Sequence, residues 1–198
     1  SSPARARTPA YRTPTCRCHS ICDKTNYVLD AKEKIKKIKS QYPDYQIVSL
    51  HFRRGDIAQN SISQGKIDFY GGKKLDLNSI NGKYLTDSKS IFKSQKVKFL
   101  IFSGGSIESK RNQDDLNWCK SNLKGDEYIF LEPQNTIQDF SLISECDHNI
   151  ISRTSTFGWW AAFLNSKVNS VIVAPKIYDP ERPYEERYMF YPKKWTLV

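Results

Sequence analysis

The sequence predicts an α/β domain, a doubly wound parallel sheet flanked by helices. Short β-branched or apolar runs alternate along the chain with stretches of helical periodicity, the spacing of βαβ units. One of those runs, Val97–Ser103 (VKFLIFS), is almost continuously apolar, as in a strand covered on both faces. In such sheets ligands lie at the carboxyl ends of the strands, near the point where the strand order reverses. Chemistry is therefore sought directly after each strand, at 52–56, 103–105 and 152–157.

The elements follow in order. Residues 1–24 are rich in Pro, Arg, Ser and Thr without hydrophobic periodicity, and read as an irregular segment. From about Tyr27, Val28, Ala31, Ile35 and Ile38 recur at helical spacing, with five lysines largely on the remaining face, until Pro43 stops the helix. A strand is expected over 46–52 and a polar, Gly-rich surface loop over 60–82, of the kind that often forms a lid. A helix over 83–95 and the strand 97–103 come next. Then follow a helix at 114–120, a strand at 127–131, a helix at 136–146 and a strand at 148–152. A helix at 155–165, apolar all round and so expected to be buried, precedes a last strand at 170–174. Beyond Pro175 the tail is aromatic, basic and punctuated by prolines.

Composition sets the outer limits. The chain has 198 residues, 38% hydrophobic and 26% charged, with 11 Tyr, 10 Phe and 4 Trp available for a core. That is globular, one large domain or two small ones sharing a core. No stretch approaches the roughly 20 apolar residues of a membrane span, and the N-terminus shows no secretory h-region. The net charge is +10. Residues 1–50 hold ten basic and four acidic residues against 21 and 17 over the rest, so the first quarter carries most of the excess. A solvated tail and a Lys-rich helix face explain it, and so does a polyanion-binding arm. Five cysteines leave the redox setting open. Cys16, Cys18 and Cys22 with His19 are too tightly spaced for an ordinary zinc site, while Cys119 and Cys146 read equally as a disulfide or as two buried thiols.

Two segments stand out chemically. The strand 46–52 delivers His51, Arg53, Arg54 and Asp56 into its exit loop. Alternation places His51 and Arg53 on one face and Arg54 on the other, and Gly55 lets the chain turn so that Arg54 can swing back. Adjacent guanidiniums at a strand end suit phosphate oxygens; the competing explanation is ion pairing to nearby carboxylates, Asp56 among them. In Ser152–Gly158, Ser155, Thr156 and Phe157 open a helix, where hydroxyls cap free amides and the same amides bind phosphate. Glu145, Cys146, Asp147 and His148 read as a helix-to-strand turn rather than a metal site. No Gly-x-Gly-x-x-Gly, Walker or Asp-x-Asp pattern occurs, and Arg54–Gly55–Asp56 is poorly placed for an adhesion tripeptide.

Taken together, HFRRGD after a β-branched strand, then FLIFSGG, WCK and DFSLISECDHNIISRTSTFGWWAAFLN resemble the α-1,2-fucosyltransferases of glycosyltransferase family 11, in the family's order across about residues 46–175. The resemblance implies one half of a two-domain GT-B-type enzyme. Residues 1–26 would be irregular and 27–198 the Rossmann-like, GDP-fucose-binding domain. The implied reaction moves fucose from GDP-fucose to the 2-hydroxyl of a galactoside, inverting, with no required metal or other cofactor. Arg53 and Arg54 become the pyrophosphate ligands and His51 lies near the guanine. Ser155, Thr156 and Phe157 form a second phosphate-contacting segment, and Asp56 orients an arginine. The implied partners are GDP-fucose and a galactose-terminated glycan, without nucleic acid.

Two departures qualify these expectations. Gly104 and Gly105 stand where relatives have acids that would accept hydrogen bonds from guanine. Only 50 residues precede His51, so the acceptor half and any anchor to a Golgi membrane, the compartment implied in a eukaryote, are expected to be missing. The chain then reads as a truncated gene model, a fragment or a degenerate copy, in which donor binding outlasts turnover. A rival of another class is a non-catalytic polyanion binder working through residues 1–40, and a third is a pseudoenzyme that binds GDP without transfer.

Overall fold

A computed structural model describes residues 26–54, 74–104, 110–177 and 191–198. It contains helix α1 (Asn26–Gln41), strand β1 (Gln46–Phe52), α2 (Ile80–Ser90), β2 (Val97–Ser103), α3 (Lys110–Asn122) and β3 (Tyr128–Phe130). These are followed by α4 (Thr136–Glu145), β4 (His148–Ile150), α5 (Thr156–Phe163), β5 (Ile172–Ala174) and β6 (Thr196–Leu197). All strand pairs are parallel, in the order β3-β2-β1-β4-β5-β6. The chain winds outward from β1 through β2 to β3, then crosses back to lay β4 on the other side of β1. The strand order therefore reverses between β1 and β4, the crevice where a doubly wound sheet holds its ligand.

Strand alternation divides the core. Val48, Leu50 and Phe52 of β1, with Phe99 and Ile101 of β2, pack against Tyr84 and Leu85 of α2 and Cys119 and Leu123 near α3. Ile47, Leu100 and Phe102 face the other way, onto Ala31, Ile35 and Ile38 of α1, Leu142 and Ile143 of α4 and Ala161 of α5. The four apolar positions of α1 are all buried, as their spacing requires. Cys119 and Cys146 are free, buried thiols on opposite sides of the sheet, which excludes a disulfide between them. Burial pushes the Cys119 thiol up to about 12.

Asp147 is one anchor of this frame. Burial alone would raise its carboxyl, but the Ile47 amide and the Lys39 and Lys167 ammoniums outweigh that and hold it below the usual range. Lys39 and Lys167 lie 2.7 and 3.0 Å from Oδ1, and the Ile47 amide donates to Oδ2 at 2.9 Å. Residues 145–148 are thus the helix-to-strand turn expected. Among the described residues no cluster of three or more His, Cys, Asp or Glu can hold a metal, and no helix is long and apolar enough to cross a membrane. Cys16, Cys18, His19 and Cys22 lie outside the described residues, as does most of the expected loop.

Several expectations need correction. The helix expected over 83–95 starts at Ile80, because Ser79 caps it by accepting from the Gly82 amide at 3.0 Å, and it ends at Ser90. A side chain at Gly82 would meet the Asp76 carbonyl at 2.0 Å, so the entry turn requires glycine. The helix expected over 114–120 spans Lys110–Asn122, beginning earlier than its apolar residues. The strands expected at 127–131, 148–152 and 170–174 shrink to three paired residues each. Helix α5 is not wholly buried: Trp159, Ala161 and Ala162 face inward, whereas Trp160 and Phe163 are 52% and 45% exposed. The tail adds β6, alongside Trp195, whose ring packs 5.4 Å from that of Trp159.

Candidate active site

The carboxyl ends of β1 and β4 meet at the switch point, and one hydrogen bond joins them: the Arg53 amide donates to Ser152 Oγ at 3.0 Å. Ser152 is buried, so this link fixes the backbone on both sides of the crevice. The loop that follows β4 is held from several directions. Tyr84 of α2 donates its hydroxyl to the Ile151 carbonyl at 2.6 Å. Arg153 donates to the Ile177 carbonyl and lies over the Tyr84 ring, 5.3 Å from its centre. Thr154 has φ 55°, a left-handed conformation costly for a β-branched residue. Strain of that kind persists only where surrounding contacts over-determine the turn, as they do here.

That turn launches α5. Ser155, 2% exposed, caps the helix by accepting from the Gly158 amide at 3.1 Å, while Thr156 is exposed and Phe157 half-buried. Beyond the far end of the helix, a buried amide network sets its position. Asn149 donates to Ser49 Oγ at 2.8 Å and to the Ile143 carbonyl at 2.6 Å, and accepts from Asn165 at 2.7 Å. Asn165 also donates to the Cys146 carbonyl at 2.9 Å. The N-terminus of α5, the positive end of its dipole, therefore begins beside the carboxyl ends of β1 and β4.

His51 lies directly against this helix start. A Cβ at residue 158 would stand 2.8 Å from His51 Nδ1, so only glycine permits the approach. The imidazole ring is 5.6 Å from that of Phe157. Burial, followed by the neighbouring Arg53 charge, pushes His51 down to about 3 from its ordinary 6.5, so the ring is neutral at neutral pH. Its Nδ1 is buried and makes no hydrogen bond to the described residues.

Arg54 takes the other face. Its guanidinium does not swing back toward His51; it stacks 3.9 Å above the centre of the Trp118 ring, and Nε lies 3.4 Å from Asp115 Oδ1. Both partners are on α3. One carboxylate pairing of the kind offered as the competing explanation is thus made, with Asp115. Asp56 and Gly105 lie outside the described residues; Gly104 ends β2 with φ 98°. The structure brings His51, Arg53, Ser155 and Phe157 together and sets Arg54 on the opposite face of the sheet, against α3.

Ser152, Gly158, Asp115 and Trp118 were not singled out individually by sequence reasoning. Ser152 and Gly158 bound the hydroxyl-rich run and Trp118 opens WCK, but their neighbours appear only where β4 lies beside β1 and α3 crosses it.

Two curated proteins of Escherichia coli are similar to this chain. An α-1,2-colitosyltransferase is 28% identical over 178 residues, covering 87% of this chain and 53% of that protein. The O-antigen biosynthesis glycosyltransferase WbnK is 27% identical over 132 residues, 65% of this chain and 37% of its own length. The chain thus spans about half the length, or less, of these relatives. No solved structure matches it. The model of glycosyl transferase family 11 matches residues 30–198, a span that takes in every strand and both sides of the crevice, and the chain belongs to that family.

Proposed function

We propose that this chain is the donor-binding half of a glycosyltransferase that moves fucose from GDP-fucose to the 2-hydroxyl of a galactoside in α-1,2 linkage. The observation that carries the reading is the convergence at the β1/β4 switch point of Arg53, the N-terminus of α5 and a neutral, buried His51. Departing GDP gains negative charge as its bond to fucose breaks, and fixed positive partners lower that barrier. Arg53 supplies a full charge there and the α5 amides a partial one, while Arg54, held from α3, adds a second cation at the end of β1. His51, uncharged, offers hydrogen bonds to the base or sugar without competing for phosphate. Asp56 belongs to the same proposal as the group that orients an arginine, and metal-free transfer follows from the same charge argument. The linkage agrees with the printed name of one relative, an α-1,2-colitosyltransferase. A Golgi setting in a eukaryote belongs to the same proposal.

Calorimetric titration with GDP, GDP-fucose and UDP tests the donor. Guanosine diphosphates should bind preferentially, and equal binding of UDP would remove the claim. Arg53→Ala should weaken GDP by roughly 1.5–3 kcal/mol, the range for hydrogen bonds to charged groups. Unchanged affinity in that variant would exclude Arg53 from the site.

A further inference from the structure

We propose that Asp115 and Trp118 are positioning residues of the donor grip: from α3 they fix the Arg54 guanidinium at the end of β1. The inference rests on the reading of the crevice as a nucleoside-diphosphate site. Arg54 follows Phe52 onto the α3 side of the sheet, where it is only 7% exposed. A guanidinium stays charged at any physiological pH, so burial this deep requires both a counter-charge and a surface to lie on. Asp115, itself buried, supplies the first at 3.4 Å, and the Trp118 ring supplies the second at 3.9 Å.

Neither contact is accidental in its geometry. Positions 115 and 118 are three apart on one helix and present neighbouring side chains. The Phe52 ring, 6.3 Å from that of Trp118, props the indole against the end of β1. The next residue, Cys119, is fully buried beside Ser103, whose hydroxyl donates to the Phe52 carbonyl at 3.2 Å. The helix is therefore keyed to the ends of β1 and β2 at the point where Arg54 leaves its strand. An apolar residue would fill the same space at lower cost, so stability alone does not call for a buried charge here. Arranging a long, flexible side chain before the ligand arrives removes the entropy cost of ordering it on binding.

Titration of GDP into the 198-residue chain and its variants closes a double-mutant cycle. Asp115→Asn and Arg54→Lys should each weaken GDP by about tenfold, and the double variant should bind within about twofold of Arg54→Lys alone. Trp118→Phe, which keeps a flat ring, should hold affinity within about twofold, whereas Trp118→Leu should lose about tenfold. A folded Asp115→Asn that binds GDP like the parent, or losses that multiply in the double variant, would overturn the proposal. Should Asp115→Asn fail to fold, the Trp118 pair decides, and equal affinity in both variants overturns it. If the parent prefers no guanosine diphosphate, the donor-site reading falls and this inference with it. If the parent binds GDP and the losses multiply, only the positioning role falls.

Discussion

A methyl group on residue 158 would press into Nδ1 of the buried His51, so the imidazole or the start of α5 would have to shift. Gly158→Ala should cost about 1–3 kcal/mol in urea unfolding, the range for overfilling a packed site. His51 also governs acid stability. Its folded value of about 3 lies below the ordinary 6.5, so below pH 6.5 the unfolded chain takes the proton first and stability falls toward pH 3. Asp139 opposes it. Burial, against the pull of Lys34, raises that carboxyl to about 7 from 3.8, so its folding penalty is relieved as pH drops from 7 to 4. His51→Gln should therefore flatten the acid limb of stability against pH, by at most about 1.4 kcal/mol per pH unit, and Asp139→Asn should steepen it. Urea midpoints at pH 7, 5.5 and 4.5 check both signs. At this scale the sequence was informative along a strand and silent across elements. Alternation alone placed His51 and Arg53 together and Arg54 opposite. Asp115 as the partner of Arg54 was not legible, because it depends on where α3 crosses β1.

Helix α5 is only eight residues long, and its orientation comes from what grips its ends. Asn149 is fully buried and serves Ser49, Ile143 and Asn165 at once. Asn149→Ala would strand those polar groups, at about 1–3 kcal/mol for each left unsatisfied. Urea unfolding should show the loss, and GDP binding should weaken with it as the helix start loosens. Long, strongly patterned elements such as β1 and β2 were readable to the residue. The three-residue strands β3, β4 and β5 are shorter than expected because apolar residues flank them: the pattern continues through Leu131 and Ile151 and begins early at Val171, beyond the paired residues. Two residues of β6 carry no pattern at all. The outer face of α5 was misjudged for a related reason: a helix apolar all round does not announce which side meets the sheet.

The alternation of strands and helices announced a doubly wound sheet and placed chemistry at three strand ends. It did not order the strands, since crossover handedness leaves the side chosen by β4 undetermined. That choice makes the site, by bringing Ser152 beside Arg53. The two buried cysteines turn the same layered architecture into a measuring device. Cys119 lies on the inward side of α3 on one face and Cys146 at the C-terminus of α4 on the other, both protonated at neutral pH and closed to solvent. Under iodoacetamide each should be alkylated only when its own layer opens. Peptide mapping by mass spectrometry against time would then clock the two sides independently. If guanosine diphosphate binds at the β1/β4 crevice as proposed, it should slow both clocks together.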